Sequence, residues 1–146
     1  MTDFDDLLHD TATDLRLATF RLARRLRRER AYDSVSDAHF AVLACLRANG
    51  RLPVGELAQR ERVSAPTMSN TVDALAESGH VVRVPDDTDR RRVYIEITDV
   101  GTAVVTATVQ KRDAALADAI AELNFTAEEL ATLREASALM RKVAER

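Results

Sequence analysis

Arg62-Val63-Ser64-Ala65-Pro66-Thr67-Met68-Ser69-Asn70-Thr71-Val72-Asp73-Ala74-Leu75 is the stretch on which the fold turns. Arg62-Val63-Ser64 reads as a turn, Ser64 stands where an N-cap belongs, and Pro66 falls in the first helical turn, where a missing N–H costs nothing. Met68, Val72, Leu75 and Gly79 follow at i, i+4, i+7 and i+11 on one face, and Pro66, Thr67, Asn70 and Asp73 point away from it. The apolar stripe is core. The polar start of the helix is therefore free to touch something outside the chain. Just upstream, Val54 to Arg60 has the length of a helix of about two turns, entered through Pro53-Val54 without a Ser or Thr cap. Two short helices around a tight turn are a helix-turn-helix candidate.

Working outward, Gly79 closes the fourth helix, and residues 80–84 and 93–97 read as two β-strands, rich in β-branched residues. Between them Pro85-Asp86-Asp87-Thr88-Asp89-Arg90-Arg91-Arg92 is a charged hairpin tip, longer than a two-residue turn. On the other side, Ser36 is placed to cap a second helix with Phe40, Leu43 and Leu46 at i, i+3 and i+6, ending near Asn49-Gly50. A first helix is expected from about Asp5 to Arg30, with Leu8, Leu15 and Leu22 seven apart along its seam. Its second half carries Arg21, Arg24, Arg25, Arg27, Arg28 and Arg30, which suit the negative end of a helix dipole. Thr98 caps a fifth helix, with Val104, Thr108, Leu116, Ile120 and Leu123 as inward candidates. Thr126-Ala127-Glu128-Glu129 is a capping box opening a sixth, which carries Leu130, Leu133, Ala136 and Met140.

Composition agrees with a mainly α fold bearing a small β-hairpin wing. The chain has 146 residues, 46% hydrophobic and 31% charged, with four Gly, three Pro and no Trp, enough to bury a core and poor in helix breakers. No internal repeat or low-complexity linker stands out, so one domain over 1–146 is expected, with a winged module at 33–98 between helical segments at 1–32 and 99–146. The net charge of −3 conceals an uneven distribution: residues 1–15 hold five acids and no base, whereas residues 16–98 hold fifteen Arg against eleven acids. A mildly acidic chain can still bind nucleic acid where its basic groups converge.

The order of elements is that of a winged helix-turn-helix. A helix fits the major groove, and short polar side chains at its start, here Thr67, Ser69 and Asn70, can approach base edges and phosphates. Arginines on a projecting hairpin, here Arg90, Arg91 and Arg92, can reach a narrow minor groove. The fourth helix has no Arg or Lys and carries Asp73 and Glu77, so the wing and DNA shape are expected to matter more than guanine readout.

Pro53-Val54-Gly55-Glu56-Leu57-Ala58, Val63 to Ser69, Asp86 to Arg91 and Ile97-Thr98-Asp99-Val100-Gly101 together resemble the MarR family of transcriptional regulators over nearly the whole length. The resemblance implies a homodimer that binds a pseudo-palindromic operator in double-stranded DNA, as a repressor relieved by a small ligand. It implies DNA contact by Ser64, Pro66, Thr67, Ser69, Asn70, Asp89, Arg90, Arg91 and Arg92, with Asp89 orienting Arg91 through a salt bridge. Leu8, Leu15, Leu22, Leu130, Leu133 and Met140 are expected in the dimer interface. Phe20, Tyr32, His39 and Phe40 are expected to line a cleft for a small phenolic or amphipathic ligand.

Other classes fit poorly. His9, His39 and His80 are far apart and Cys45 is a single cysteine, so no metal-ligand spacing can be read and no cofactor is expected. Cys45 between Leu43 and Leu46 reads as a small buried hydrophobe. No Gly-rich phosphate loop or nucleophile motif appears, so an enzyme is not expected. No run of eighteen apolar residues and no basic-then-apolar leader is present, so a cytoplasmic protein without a membrane partner is expected. The competing reading is a helical dimeric interaction protein of the same fold without operator binding, kept open by Asp73 and Glu77.

Overall fold

The computed structural model describes residues 3–146; Met1 and Thr2, which open the expected 1–32 segment, lie outside the described residues. In chain order the elements are α1 (Asp3–Arg27), α2 (Asp37–Asn49), β1 (Leu52–Pro53), α3 (Val54–Arg60), α4 (Ala65–Glu77), β2 (Val81–Pro85), β3 (Val93–Ile97), α5 (Asp99–Glu122) and α6 (Ala127–Ala144). The chain divides into two compact units, one reaching to Arg112 and one from Asp113 to Arg146, so the division falls within α5.

The core of the first unit is the face that periodicity marks. Leu43 and Leu46 of α2, Leu57 of α3, Met68, Val72 and Leu75 of α4, and Val81 and Ile95 of the sheet are all nearly or fully buried. Burying a side chain of this size is worth about 1.5–3 kcal/mol each, and here three helices and a sheet share one cluster.

The wing has three strands rather than two. β3 is central, with β2 antiparallel on one side (Val81 opposite Ile97, Pro85 opposite Val93) and β1 antiparallel on the other (Leu52 opposite Ile95). A two-residue strand ending in proline has no alternation to read, which is why the sequence pattern passes over it. Pro53 then serves as N-cap of α3 with extended backbone and no side-chain cap bond, as Pro53-Val54 led one to expect.

Helix ends follow their capping chemistry. Ser36 accepts from His39 N–H, Thr126 accepts from Glu129 N–H, and Glu129 accepts from Thr126 N–H, completing the capping box. Gly79 lies beyond α4 instead of on its buried face: the helix stops at Glu77, Gly79 has φ +78°, and His80 N–H donates to Leu75 C=O at 2.9 Å. That is a Schellman closure, in which glycine takes the left-handed turn without strain. α1 stops at Arg27, short of Arg30, because Arg28 and Glu29 N–H bond three residues back, to Arg25 and Leu26. The carbonyls freed there accept from α5: Lys111 Nζ reaches Arg30 C=O at 2.7 Å and Arg112 Nε reaches Glu29 C=O at 3.2 Å.

The second unit is less closed. α6 has no buried residue, and Leu123, expected to face inward, is 63% exposed. Ile120, Ala127, Leu130, Ala131, Leu133, Arg134 and Ser137 border an open groove in this unit.

Candidate nucleic-acid interface

The turn between α3 and α4 sets the angle at which α4 leaves the domain. Arg62 sits in it with φ +53°, Val63 N–H donates to Ala58 C=O at 3.0 Å, and Arg62 N–H donates to Gln59 C=O at 3.2 Å. This is a second Schellman closure with arginine at the position glycine favours, a conformation that costs an L-residue roughly 1–2 kcal/mol. The sequence offers no glycine there to mark it. What the turn gains is an exposed guanidinium two residues before the helix cap.

Ser64 then caps α4, accepting from Thr67 N–H at 3.2 Å, while its Oγ also lies 2.8 Å from Thr67 Oγ1. Thr71 Oγ1 donates to Thr67 C=O at 3.1 Å. With Met68, Val72 and Leu75 locked in the core, Ser64, Pro66, Thr67, Ser69 and Asn70 are all exposed. The first turn of α4 thus presents short polar groups on a rigid base, at a helix end that carries partial positive charge.

The acidic middle of α4 is compensated. Asp73 forms an ion pair with Arg83 of β2, so the carboxylate that would repel phosphate is held beside a wing guanidinium. Sequence periodicity places Asp73 on the outer face but gives no hint of Arg83, because that pairing depends on how β2 returns beside α4. Glu77, at the far end of the helix, is in no ion pair among the described residues.

The wing tip is built by two aspartates. Asp86 Oδ1 accepts from Thr88 N–H at 2.9 Å and Thr88 Oγ1 at 3.0 Å, and these bonds hold its carboxyl at a pKa of about 2. Asp89 Oδ1 accepts from the backbone N–H of Arg91 at 3.1 Å, and Arg92 N–H donates to Asp89 C=O at 2.9 Å. Asp89 therefore shapes the backbone that carries Arg91 rather than forming the expected salt bridge with its guanidinium. Arg90, Arg91 and Arg92 are exposed, and among the described residues none of them is in an ion pair. Behind the tip, Arg51 stacks on Tyr94 of β3, 4.9 Å from the ring centroid.

Thr98, expected to cap the fifth helix, does so and also ties that helix to the end of α4. Thr98 Oγ1 donates to Gly79 C=O at 2.7 Å and accepts from Gly101 N–H at 3.1 Å, joining the start of α5 to the end of α4. A Cβ on Gly101 would stand 2.3 Å from His80 O and 2.8 Å from Ile97 Cγ1, so only glycine admits this approach.

The MarR family model matches residues 35–93, the span from α2 to the start of β3. An HTH-type transcriptional regulator of Mycobacterium bovis is 36% identical over 129 residues, covering 88% of this chain and 89% of its own. The chain belongs to the MarR family. Among solved structures, a MarR family protein from Bacillus stearothermophilus superposes with a TM-score of 0.83 at 23% identity, covering 100% of this chain and 99% of its own. A mutant of S. aureus MepR bound to an oligodeoxyribonucleotide superposes at 0.67 with 18% identity, covering 92% and 97%. At those identities the likeness shows a shared MarR fold.

In this MarR-family chain the remaining singled-out residues are dispersed. Phe40 is half-buried against the core with Arg112 over its ring at 4.4 Å, and His39 beside it is half-buried. Tyr32 is 48% exposed and Phe20, on α1, 64% exposed. Burial pushes the Cys45 thiol up, aided by the Glu61 charge, so the reactive thiolate is disfavoured. No helix among the described residues is long and apolar enough to cross a membrane.

Proposed function

We propose that this MarR-family regulator is a homodimeric repressor of a pseudo-palindromic operator, reading double-stranded DNA with two copies of the α4 and wing surface. The observation that carries the reading is the rigid, exposed polar turn Ser64 to Asn70 on one element and the unpaired Arg90, Arg91 and Arg92 on another, within one module. The helix start enters the major groove, and the wing arginines enter the flanking minor groove or bind its phosphates. With two-fold symmetry the two recognition helices stand about 34 Å apart, one turn of DNA.

The dimer reading is supported by apolar faces that lack cover. Leu8, Leu22, Leu130 and Leu133 are each more than 40% exposed, while Leu15 and Met140 are half-buried. In this reading the segments 1–32 and 99–146 pair across the axis around a single winged module at 33–98 in each protomer, and the protein acts where the chromosome is, in the cytoplasm. A small phenolic or amphipathic ligand contacting Phe20, Tyr32, His39 and Phe40 would change operator affinity by favouring one spacing of the two modules. The interaction-protein alternative is weakened by the Asp73–Arg83 pair, which offsets one of the two acids that motivated it.

The test is a selection of random duplex DNA against the purified protein, followed by titration of the winner at two salt concentrations. Enrichment of a palindrome with half-sites one turn apart is expected. For Arg91→Ala, affinity falls and the salt slope drops by about one if a phosphate contact is lost. No enrichment at low salt would transfer the reading to a protein-interaction role.

A further inference from the structure

We infer that Arg62, in the turn between α3 and α4, is a phosphate anchor: its guanidinium holds the DNA strand bordering the groove that α4 enters, and so sets the register of that helix. The inference rests on the operator reading above and adds to it a residue outside both the helix start and the wing.

Four of the described residues have left-handed backbone: Gly50, Arg62, Gly79 and Asn124. The two glycines take this region without strain. Asparagine is among the side chains that tolerate it best, and Asn124 Nδ2 donates locally to Glu122 C=O at 3.2 Å. Arg62 alone of the four follows neither rule. A glycine there would remove the strain, and no contact within the chain offsets it. Among the described residues Arg62 is exposed, in no ion pair and stacked on no ring. Arg60, two residues earlier, shows the contrast: its Nη2 and Nε donate to Glu56 Oε1 at 3.0 and 3.3 Å, and its Nη1 to Asn49 Oδ1 at 3.2 Å. Strain kept where glycine would relieve it points to a role outside the fold.

Charge and place say which role. Between Arg60 and Arg90 the only Arg or Lys residues are Arg62 and Arg83. Arg83 is engaged by Asp73, so Arg62 is the unpaired cation next in sequence to the exposed turn Ser64 to Asn70. In a helix-turn-helix the first helix crosses the DNA backbone and the second enters the groove. Arg62 follows Glu61, the C-cap of α3, and precedes Ser64, the N-cap of α4. It therefore stands where the chain passes from backbone to groove, and its planar fork suits phosphate oxygens there. Bonds from Arg62 N–H to Gln59 C=O and from Val63 N–H to Ala58 C=O fix the point from which the side chain starts. Phosphate contacts of this kind orient a protein on the duplex and carry no sequence information.

Three variants test this. Arg62→Gly and Arg62→Asn remove the guanidinium at a backbone both residues accept, whereas Arg62→Lys keeps the charge and the strain. Parent and variants are titrated by fluorescence anisotropy, over a salt series, on three duplexes: the selected operator, that operator with one half-site base pair changed, and an unrelated sequence. Thermal melts accompany the titrations. For the two uncharged variants affinity should fall on the order of 10-fold per protomer at low salt, by the same factor on all three duplexes, and the salt slope should drop by about one per protomer. Their melting temperatures should stay at or above the parent's, and the lysine variant should keep the parent's slope. A loss confined to the selected operator would make Arg62 a base reader and overturn the inference. So would a drop in melting temperature in both uncharged variants, which would make the residue structural, or a lysine variant with the slope of the uncharged ones. If the parent binds none of the duplexes at low salt, the operator reading falls and this inference with it. If the parent binds and the uncharged variants match it in affinity and slope, this inference alone is overturned.

Discussion

The winged module and the terminal helices obey different rules in the same chain. Between Val35 and Thr108 every helix and strand contributes to one buried cluster, and Leu43, Leu57, Val72, Leu75 and Ile95 have no exposed surface at all. α1, with 25 residues, and α6, with 18, have no buried residue, yet both are amphipathic and carry large exposed side chains such as Phe4, Phe20, Leu139 and Val143. A long helix with an unfilled apolar side is stabilised only when something covers it. The module is thus a closed fold with an exposed polar helix start and wing tip, and the terminal helices are the part of the chain that the proposed dimer would cover.

The sharpest break of that contrast is a pair of cavity substitutions. Leu75→Ala should lower unfolding free energy by about 2–5 kcal/mol, equally at micromolar and at high protein concentration, because its neighbours belong to its own chain. Leu133→Ala should leave the module's melting unchanged and weaken association, which a concentration series in calorimetry separates from the first effect. A concentration-independent loss for Leu133→Ala would show that α6 is covered from within.

Next in size is Gly101→Ala. Its methyl group meets a backbone carbonyl, which cannot step aside, and the expected cost is about 1–3 kcal/mol. The joint between α5 and the end of α4 should loosen, so operator affinity falls together with stability. Wild-type thermal stability in that variant would mean that the helix start shifts freely.

Ser64→Ala removes the cap of α4 and should cost about 1 kcal/mol, with faster amide exchange at Thr67 and Met68. Ser64→Asp should keep the cap and recover that protection while weakening DNA binding, which divides the structural role of this residue from its contact role. The smallest effect belongs to Asp86. Its carboxyl titrates at about 2 when folded against 3.8 ordinarily, so the charged form favours the native tip. That contribution is complete above pH 3.8 and is lost as pH falls toward 2. The Thr88 amide resonance should therefore move in that window before the core unfolds, and a tip resonance that follows global unfolding would contradict the local origin.

Much of this was legible in the residues. The Met68, Val72, Leu75 stripe, the caps at Ser36, Ser64, Thr98 and Thr126, and the wing tip are local patterns, and local patterns survive folding unchanged. What escaped notice depends on contacts distant in sequence. Pairing of Leu52 with Ile95, neutralisation of Asp73 by Arg83 and the close approach at Gly101 each need the chain to have turned back on itself. Arg62 escaped for another reason: its left-handed backbone occupies a position that glycine usually signals, and arginine carries no such signal. Asp89 taught a narrower lesson, since a carboxylate two residues from an arginine bonded the backbone amide, where geometry is fixed, rather than the mobile guanidinium.

The most direct measurement compares binding of the selected full operator with binding of one isolated half-site, at equal salt, with stoichiometry read from the same titration. If closed modules read DNA and the terminal helices join two of them, the full site takes two protomers and binds at least about 100-fold more tightly than the half-site. Equal affinity for the two duplexes, with one protomer on each, would contradict it.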